Sequence, residues 1–367
     1  MAEIKILLIA GTRPNFIKIA PLFHAFMKEP DLEVKLCHTG QHYDRNMSES
    51  FWESLELPAP DFDLKISAGN VPDTIGKTIL GINSLFSEHT FDLVIVVGDV
   101  NATVAGAIAA AQNGIKVMHV ESGLRSFDRS MPEEINRVIT DHVSDLLMVS
   151  EPRGLENLKT EGIPEDKIHF VGNIMIESLI RTKPHWEKLN YPEPLNTLIR
   201  EPFVAATFHR PENVDTPENL QKIIDIIQLI SGEYKVIFPI HPRTKGKLES
   251  FGFGNALSGG NISTIDPLGY FEFLKLVSLS QFVITDSGGI QEETSYFNKP
   301  CFTFRKNTER PVTITSGSNK LISIHDKNFA EQIQGHLNKL KYSKPDPIPL
   351  WDDQVSKRIT AVIRKSF

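Results

Sequence analysis

The feature that most constrains the fold is an alternation kept up along the whole chain. Short apolar runs, rich in β-branched residues, are each followed by a stretch of helical periodicity. The runs fall at 4–10, 33–38, 93–98, 116–120, 146–150 and 167–171. A polar stretch containing Pro184, Pro192, Pro194 and Pro202 interrupts the series, which resumes at 203–208, 235–240, 262–265, 282–285, 301–304 and 321–324. Residues apolar in succession predict strands buried on both faces, as in parallel sheets covered by helices. Between them, Phe16, Ile19, Ala20, Phe23 and Phe26 fall on one face of a helix over 14–28. Leu220, Ile223, Ile224, Ile227 and Ile230 do the same after the helix start Thr216-Pro217-Glu218. Two such series predict an α/β protein of two doubly wound, Rossmann-like parallel-sheet domains, at 1–175 and 185–345. Val355, Ile359 and Val362 mark a last amphipathic helix within 352–367, with no strand after it, expected to pack back on the first domain.

Composition removes several classes of function. Lys and Arg total 39 against 46 Asp and Glu, a net charge of -7, and the basic face that a polyphosphate backbone demands is missing. Nucleic acid is therefore not an expected partner. Hydrophobic residues at 40% and charged residues at 23% fit a globular chain rather than a disordered one. Cys37 and Cys301 are too few for a disulfide framework and lack zinc-site spacing. The run at 4–10 is too short to span a bilayer and no basic stretch precedes it, so a cytoplasmic protein without membrane contact is expected.

In open parallel sheets ligands bind beyond the carboxyl ends of the strands. Six predicted strand ends carry unusual polar residues: Gly11-Thr12-Arg13-Pro14 with Lys18, Gly98-Asp99, Glu121-Ser122-Gly123-Leu124-Arg125, His209-Arg210, His241-Pro242-Arg243 and Asp286-Ser287-Gly288-Gly289. Their number points to a cleft between the two domains. The Ser287-Gly288-Gly289 turn opens a helix, where free N–H groups and the helix dipole make an anion seat. An ordinary turn with strain-relieving glycines explains that short motif equally well. Arg13, Lys18, Arg210 and Arg310 add cations suited to a diphosphate, and Glu292 or Glu293 could accept from ribose hydroxyls. Asp99, Glu121 and Glu133 are the candidate acid–base carboxylates. Glu133 opens the Pro132 helix, where an acid also suits the dipole. Carboxyls facing one sugar would be driven to different pKa values, supplying an acid and a base. No Asp-x-Asp or paired-His spacing supports a metal site. His209, at a strand end, could carry a proton or donate to phosphate. His119 and His169 lie inside apolar runs and are expected to be packing residues, while His241 is open to either reading.

Gly11-Thr12-Arg13-Pro14 with Lys18, His119-Val120-Glu121-Ser122-Gly123-Leu124-Arg125, Pro132-Glu133-Glu134, His209-Arg210, the stretch 286–293 and Thr308-Glu309-Arg310-Pro311 occur in one order. Together they closely resemble the non-hydrolysing UDP-N-acetylglucosamine 2-epimerases, over nearly the whole chain. The resemblance implies a glycosyltransferase-B-like fold with an interdomain active site and a C-terminal helix crossing back. It implies a homodimer that interconverts UDP-GlcNAc and UDP-ManNAc through 2-acetamidoglucal, with no cofactor, neither NAD nor metal, and that serves surface polysaccharide synthesis. Matched position by position, Asp99, Glu121, Glu133 and His209 become catalytic. Arg13, Lys18, Ser287, Gly288, Gly289, Glu293 and Arg310 become UDP contacts, with Phe273 as the uracil-side aromatic. Arg210 and His241 join them as neighbours at the strand ends.

Three departures stand out. Gly98-Asp99-Val100-Asn101-Ala102-Thr103 stands where many members have Gly-Asp-Thr-x-Thr. Tyr43-Asp44 follows Gln41-His42 where substrate-activated members carry glutamine, and Pro311-Val312 replaces Pro-Glu. The rivals are a transferase of the same fold, a hydrolysing epimerase and a non-catalytic UDP-sugar binder. Three carboxylates with His209 exceed the one base that transfer needs, and the first motif differs from that of the hydrolysing enzymes.

Overall fold

The computed structural model describes residues 3–40, 54–67, 69–342 and 345–367. The departure at Gln41-His42-Tyr43-Asp44 lies outside them. Backbone proximity divides the chain into two compact units, Met1–Thr182 with Pro349–Phe367, and Lys183–Ile348.

Among the described residues the first unit holds seven strands: β1 Ile4–Ala10, β2 Leu32–His38, β3 Phe62–Asp63, β4 Leu93–Val97, β5 Lys116–Ser122, β6 Leu146–Val149 and β7 Ile168–Phe170. They form one sheet in the order β3-β2-β1-β4-β5-β6-β7, every pair parallel. The second unit holds β8 Phe203–Thr207, β9 Lys235–Pro239, β10 Ile262–Ile265, β11 Val283–Thr285, β12 Cys301–Thr303 and β13 Asn319–Leu321. Their order is β10-β9-β8-β11-β12-β13, again all parallel. Strand order reverses between β1 and β4 in the first sheet and between β8 and β11 in the second. These are the two topological switch points, where open α/β sheets leave a crevice.

Sequence decides these elements as expected. Ile6 to Ala10 and Leu93 to Val97 are buried throughout, which is why the strands read as unbroken apolar runs. The helix Arg13–Phe26 buries Phe16, Ile19, Ala20, Phe23 and Phe26, each large side chain contributing about 1.5–3 kcal/mol. The helix Pro217–Ser231 buries its Leu220–Ile230 stripe, and the Thr216 hydroxyl accepts the Asn219 N–H at 3.3 Å as its cap. Two strands depart from the pattern. β3 is two residues long, too short to show a period. β13 spans Asn319–Leu321 rather than 321–324, because buried Asn319 opens it. Its side chain accepts from Thr303 and donates to Gln291 and Thr313, so a polar residue satisfies the edge of the core.

The C-terminal helix Val355–Ser366 folds back on the first unit, with Val355, Ile359 and Ile363 fully buried and Val362 only half-buried. Buried Glu177 accepts from the Ser356 N–H at 2.6 Å and hydroxyl at 2.5 Å, holding the N-terminus of this helix. Arg364 pairs with Glu29 and Asp31 near its end. No helix among the described residues is long and apolar enough to cross a membrane.

Candidate active site

At the first switch point, the turn after β1 is fixed from inside. The carboxamide oxygen of buried Asn15 accepts from the Gly11 and Thr12 N–H groups at 3.2 and 3.1 Å, while its nitrogen donates to the Val97 carbonyl at 2.9 Å. One side chain thus ties the end of β1 to the end of β4. Arg13 sits half-buried in this turn, and Lys18, one helical turn on, forms a buried ion pair with Glu121. Gly98, with φ +71°, borders that pair: a Cβ there would stand 3.3 Å from the Lys18 ammonium and 3.5 Å from the Glu121 carboxylate.

Glu121 itself has φ +71°, a left-handed conformation uncommon for a side-chain-bearing residue. It occupies an irregularity in the β5–β6 pairing, between Val120 and Ser122. Such bulges re-aim a side chain at a strand end, and the strain persists only where the surroundings over-determine it. Asp99, half-buried after β4, pairs with the buried Arg137 guanidinium, and Asn136 donates to the Asp99 carbonyl at 2.9 Å. Arg137 also binds Glu134 at 2.8 Å. Burial opposes the charge on Glu134, but the Ser126 N–H, Arg137 and the Phe127 N–H outweigh it and hold the carboxyl below its usual range. Glu133 points from the same helix, Pro132–Val143, into the exposed surface. Thr103 donates to the Val97 carbonyl at 2.8 Å and closes the β4 end, while Val100 and Ala102 stand where Gly-Asp-Thr-x-Thr has its hydroxyls.

His119 corrects an expectation. It is completely buried, yet it is no apolar packing residue: Nδ1 lies 2.6 Å from Asp141 Oδ1 and Nε2 2.8 Å from the Gly98 carbonyl oxygen. The other Asp141 oxygen accepts from the Gly123 N–H at 3.0 Å and pairs with Arg125 at 2.7 Å. His169 is half-buried with its Nε2 unpartnered, consistent with packing.

At the second switch point, fully buried Asp286 organises the strand ends. Its carboxylate accepts from the His209 N–H at 3.1 Å, the Arg210 N–H at 2.9 Å and the Asn213 amide at 3.1 Å. His209 lies with its ring centroid 5.3 Å from that of His241, and its Nδ1 is 3.4 Å from Asp286. Desolvation pulls the His209 pKa down, against the pull of Asp286 and with the help of Arg210 and Arg243. The exposed His241 ring accepts the Arg243 N–H at 3.2 Å, and burial of part of the ring with the charge of His209 lowers its pKa as well. Ser287, Gly288 and Gly289 follow Asp286 at the start of the helix Gly289–Tyr296. Gly289 faces open space, whereas a Cβ on Gly288 would meet Glu309 at 2.7 Å. Arg310 is engaged by Glu292 at 2.7 Å and Glu309 at 2.6 Å. Glu293 is buried beside Tyr270, and desolvation together with the charge of Glu292 pushes its pKa up to about 8. Phe273, on the helix Tyr270–Leu279, is half-buried against the core of the second sheet.

Sequence reading missed Asn15, Glu134, Arg137 and Asp141. The Thr12-to-Asn15 spacing of a capping box and the three-residue spacing of Glu134 and Arg137 were available signals. Nothing local marks Asp141 as the partner of His119. Among the described residues no group of three or more His, Cys, Asp or Glu is placed to hold a metal ion.

Comparison with known proteins places the chain among relatives. A family model described as UDP-N-acetylglucosamine 2-epimerase matches residues 24–364. The chain is 41% identical over 343 residues to a UDP-N-acetylglucosamine 2-epimerase of Methanococcus maripaludis, covering 92% of this chain and 93% of that one. It is 38% identical over 338 residues to a UDP-2,3-diacetamido-2,3-dideoxy-D-glucuronate 2-epimerase of Pseudomonas aeruginosa, covering 91% and 93%. The crystal structure of Methanocaldococcus jannaschii UDP-GlcNAc 2-epimerase in complex with UDP-GlcNAc and UDP superposes with a TM-score of 0.87, at 38% identity over 99% of this chain and 100% of that one.

Proposed function

The chain belongs to the UDP-N-acetylglucosamine 2-epimerase family, whose fold is glycosyltransferase-B-like, and from that premise we propose that it reversibly inverts C2 of UDP-GlcNAc to give UDP-ManNAc. The observation that carries the reading is the pair of switch points. One presents carboxylates, Asp99 and Glu121, each held by its own cation; the other presents the N-terminus of the helix Gly289–Tyr296, a place suited to an anion.

A carboxylate takes the C2 proton, the C1–O bond to UDP breaks with its electron pair, and 2-acetamidoglucal forms with a C1=C2 double bond. Protonation of the opposite face of C2 and re-addition of the diphosphate oxygen to C1 complete the inversion. Asp99, Glu121 and Glu133 supply the base and acid, with His209 as a neutral proton carrier. Charge develops on the departing diphosphate, which the Ser287-Gly288-Gly289 N–H groups, Arg13, Lys18, Arg210 and Arg310 stabilise. Glu293 takes the ribose, and Phe273 and His241 complete the nucleotide contacts. Lys18 joins the two roles: a diphosphate competes with Glu121 for its ammonium, and Glu121 released from that pairing becomes the stronger base. The acting form is a cytoplasmic homodimer with the UDP-sugar as its partner.

The test is incubation with UDP-GlcNAc in D2O followed by NMR. Deuterium at C2 with both UDP-sugars present is expected, and free ManNAc or an unlabelled sugar would refute the reading. Asp99→Asn and Glu121→Gln should lose most exchange while UDP binding persists. Because one relative acts on a diacetamido glucuronate, that UDP-sugar belongs in the same assay.

A further inference from the structure

His119 has two polar neighbours, and both only accept. Asp141 Oδ1 stands 2.6 Å from Nδ1 and the Gly98 carbonyl oxygen 2.8 Å from Nε2. A neutral imidazole has one N–H and would leave one ring nitrogen lone pair facing an oxygen lone pair in a fully buried site. Both acceptors are satisfied at once only by a ring that donates from both nitrogens. Asp141 balances the charge of such a ring with the help of Arg125. Burial alone would raise the Asp141 carboxyl, but the charge of His119, its hydrogen bond and the Arg125 pair keep it below its usual value.

The connections lead to the two proposed carboxylates. Gly98 immediately precedes Asp99, so the Nε2 bond fixes the peptide from which Asp99 projects. On the other side, Asp141 holds both the His119 ring and the Gly123 N–H, two residues before and two residues after Glu121. That is the clamp that a left-handed glutamate in a bulge requires. We propose that His119 is a positioning residue, a doubly protonated strut that locks the Asp99 and Glu121 strand ends in one mutual register. The proposal rests on the reading of Asp99 and Glu121 as the carboxylates at the reacting sugar.

Two variants separate a strut from packing. His119→Phe keeps an aromatic ring and loses both donors; His119→Asn keeps one. The strut predicts kcat and C2 deuterium exchange falling in the order wild type, His119→Asn, His119→Phe, with about a hundredfold loss in the last, as for a misplaced catalytic group. KM and the affinity for UDP should stay within about twofold. A packing residue predicts near-normal kcat per folded molecule in His119→Phe, and that result overturns the proposal. A second readout needs no variant: 15N-histidine NMR of the wild-type protein should show one imidazole with two slowly exchanging ring N–H protons, and its absence also overturns the strut. A wild type that fails to exchange C2 hydrogen defeats the epimerase reading instead. The NMR result stands apart from that failure.

Discussion

Replacing Glu293 by glutamine should change how stability depends on pH. The folded protein holds this carboxyl at about 8 against 4.5 for the ordinary group, through burial and the neighbouring charge of Glu292. The unfolded chain therefore loses the proton near pH 4.5, while the folded chain keeps it until about pH 8. Across that window the folded state binds one more proton than the unfolded state, so stability falls as pH rises. Integrated from pH 5 to pH 7, the loss is about 2.5 kcal/mol, at about 1.4 kcal/mol for each full unit. Opposing it, His38, His209, His241 and His336 have pKa values lowered by burial. The unfolded state binds more protons at these groups below about pH 6.5, so they make stability rise toward that pH. The difference between wild type and Glu293→Gln removes the shared histidine contribution. Urea denaturation of both proteins from pH 5 to 8 should show the variant gaining relative to wild type at each step, by about 2.5 kcal/mol between pH 5 and 7. Parallel curves would mean that Glu293 is ionised in the folded protein despite its burial.

Gly123 and Gly114 both have positive φ, +79° and +69°, but a Cβ on Gly123 would lie 2.5 Å from the Gly154 carbonyl oxygen, while one on Gly114 meets nothing within 4 Å. Gly114→Asn should therefore cost about 1 kcal/mol or less, since asparagine tolerates the left-handed region, and Gly123→Asn about 3 kcal/mol or more. Thermal unfolding of the pair checks this, and equal costs would show that φ rather than close approach dominates. UDP affinity should weaken as pH rises through about 8, where Glu293 acquires its charge. Titration calorimetry should find this dependence in wild type and not in Glu293→Gln; the same slope in both would remove Glu293 from the nucleotide site.

The strands were legible because parallel strands are apolar on both faces, and the helices because one stripe of each is buried. Both signals are local. β13 was misplaced because its first residue, Asn319, is polar and satisfied by Thr303, Thr313 and Gln291 from other segments. The same limit applied at the site. Asp99, Glu121 and Asp286 stood out at strand ends, since chemistry at those places needs polar groups that a core strand lacks. His119 read as core, because five of the seven residues of β5 are apolar or buried with it and its partner Asp141 lies 22 positions away. A buried polar residue and its counter-ion become a pair only when the fold brings them together. Arg137 was hidden for the same reason: its partners Asp99 and Glu134 sit 38 and three positions away, and only the second distance is visible to a helix rule.

Some groups at the two switch points are treated differently, and the difference suits the proposed reaction. In the first, four acids near the switch point are paired with cations: Glu121 with Lys18, Asp99 and Glu134 with Arg137, Asp141 with His119 and Arg125. Base catalysis at carbon needs such ionised carboxylates, held where removal of a proton can be followed by its return from the other side. In the second unit, burial drives groups toward neutrality: His209 and His241 are pulled down and Glu293 is pushed up. A diphosphate brings its own negative charge, and an ionised carboxylate beside it would repel the ligand by an amount that grows as water is excluded. Under the proposed function, a neutral Glu293 would contact a ribose without that repulsion, and neutral imidazoles would leave the attraction to the proposed N–H and arginine contacts. Pairing therefore holds charge at the end of the first sheet, while desolvation removes it from His209, His241 and Glu293 at the end of the second.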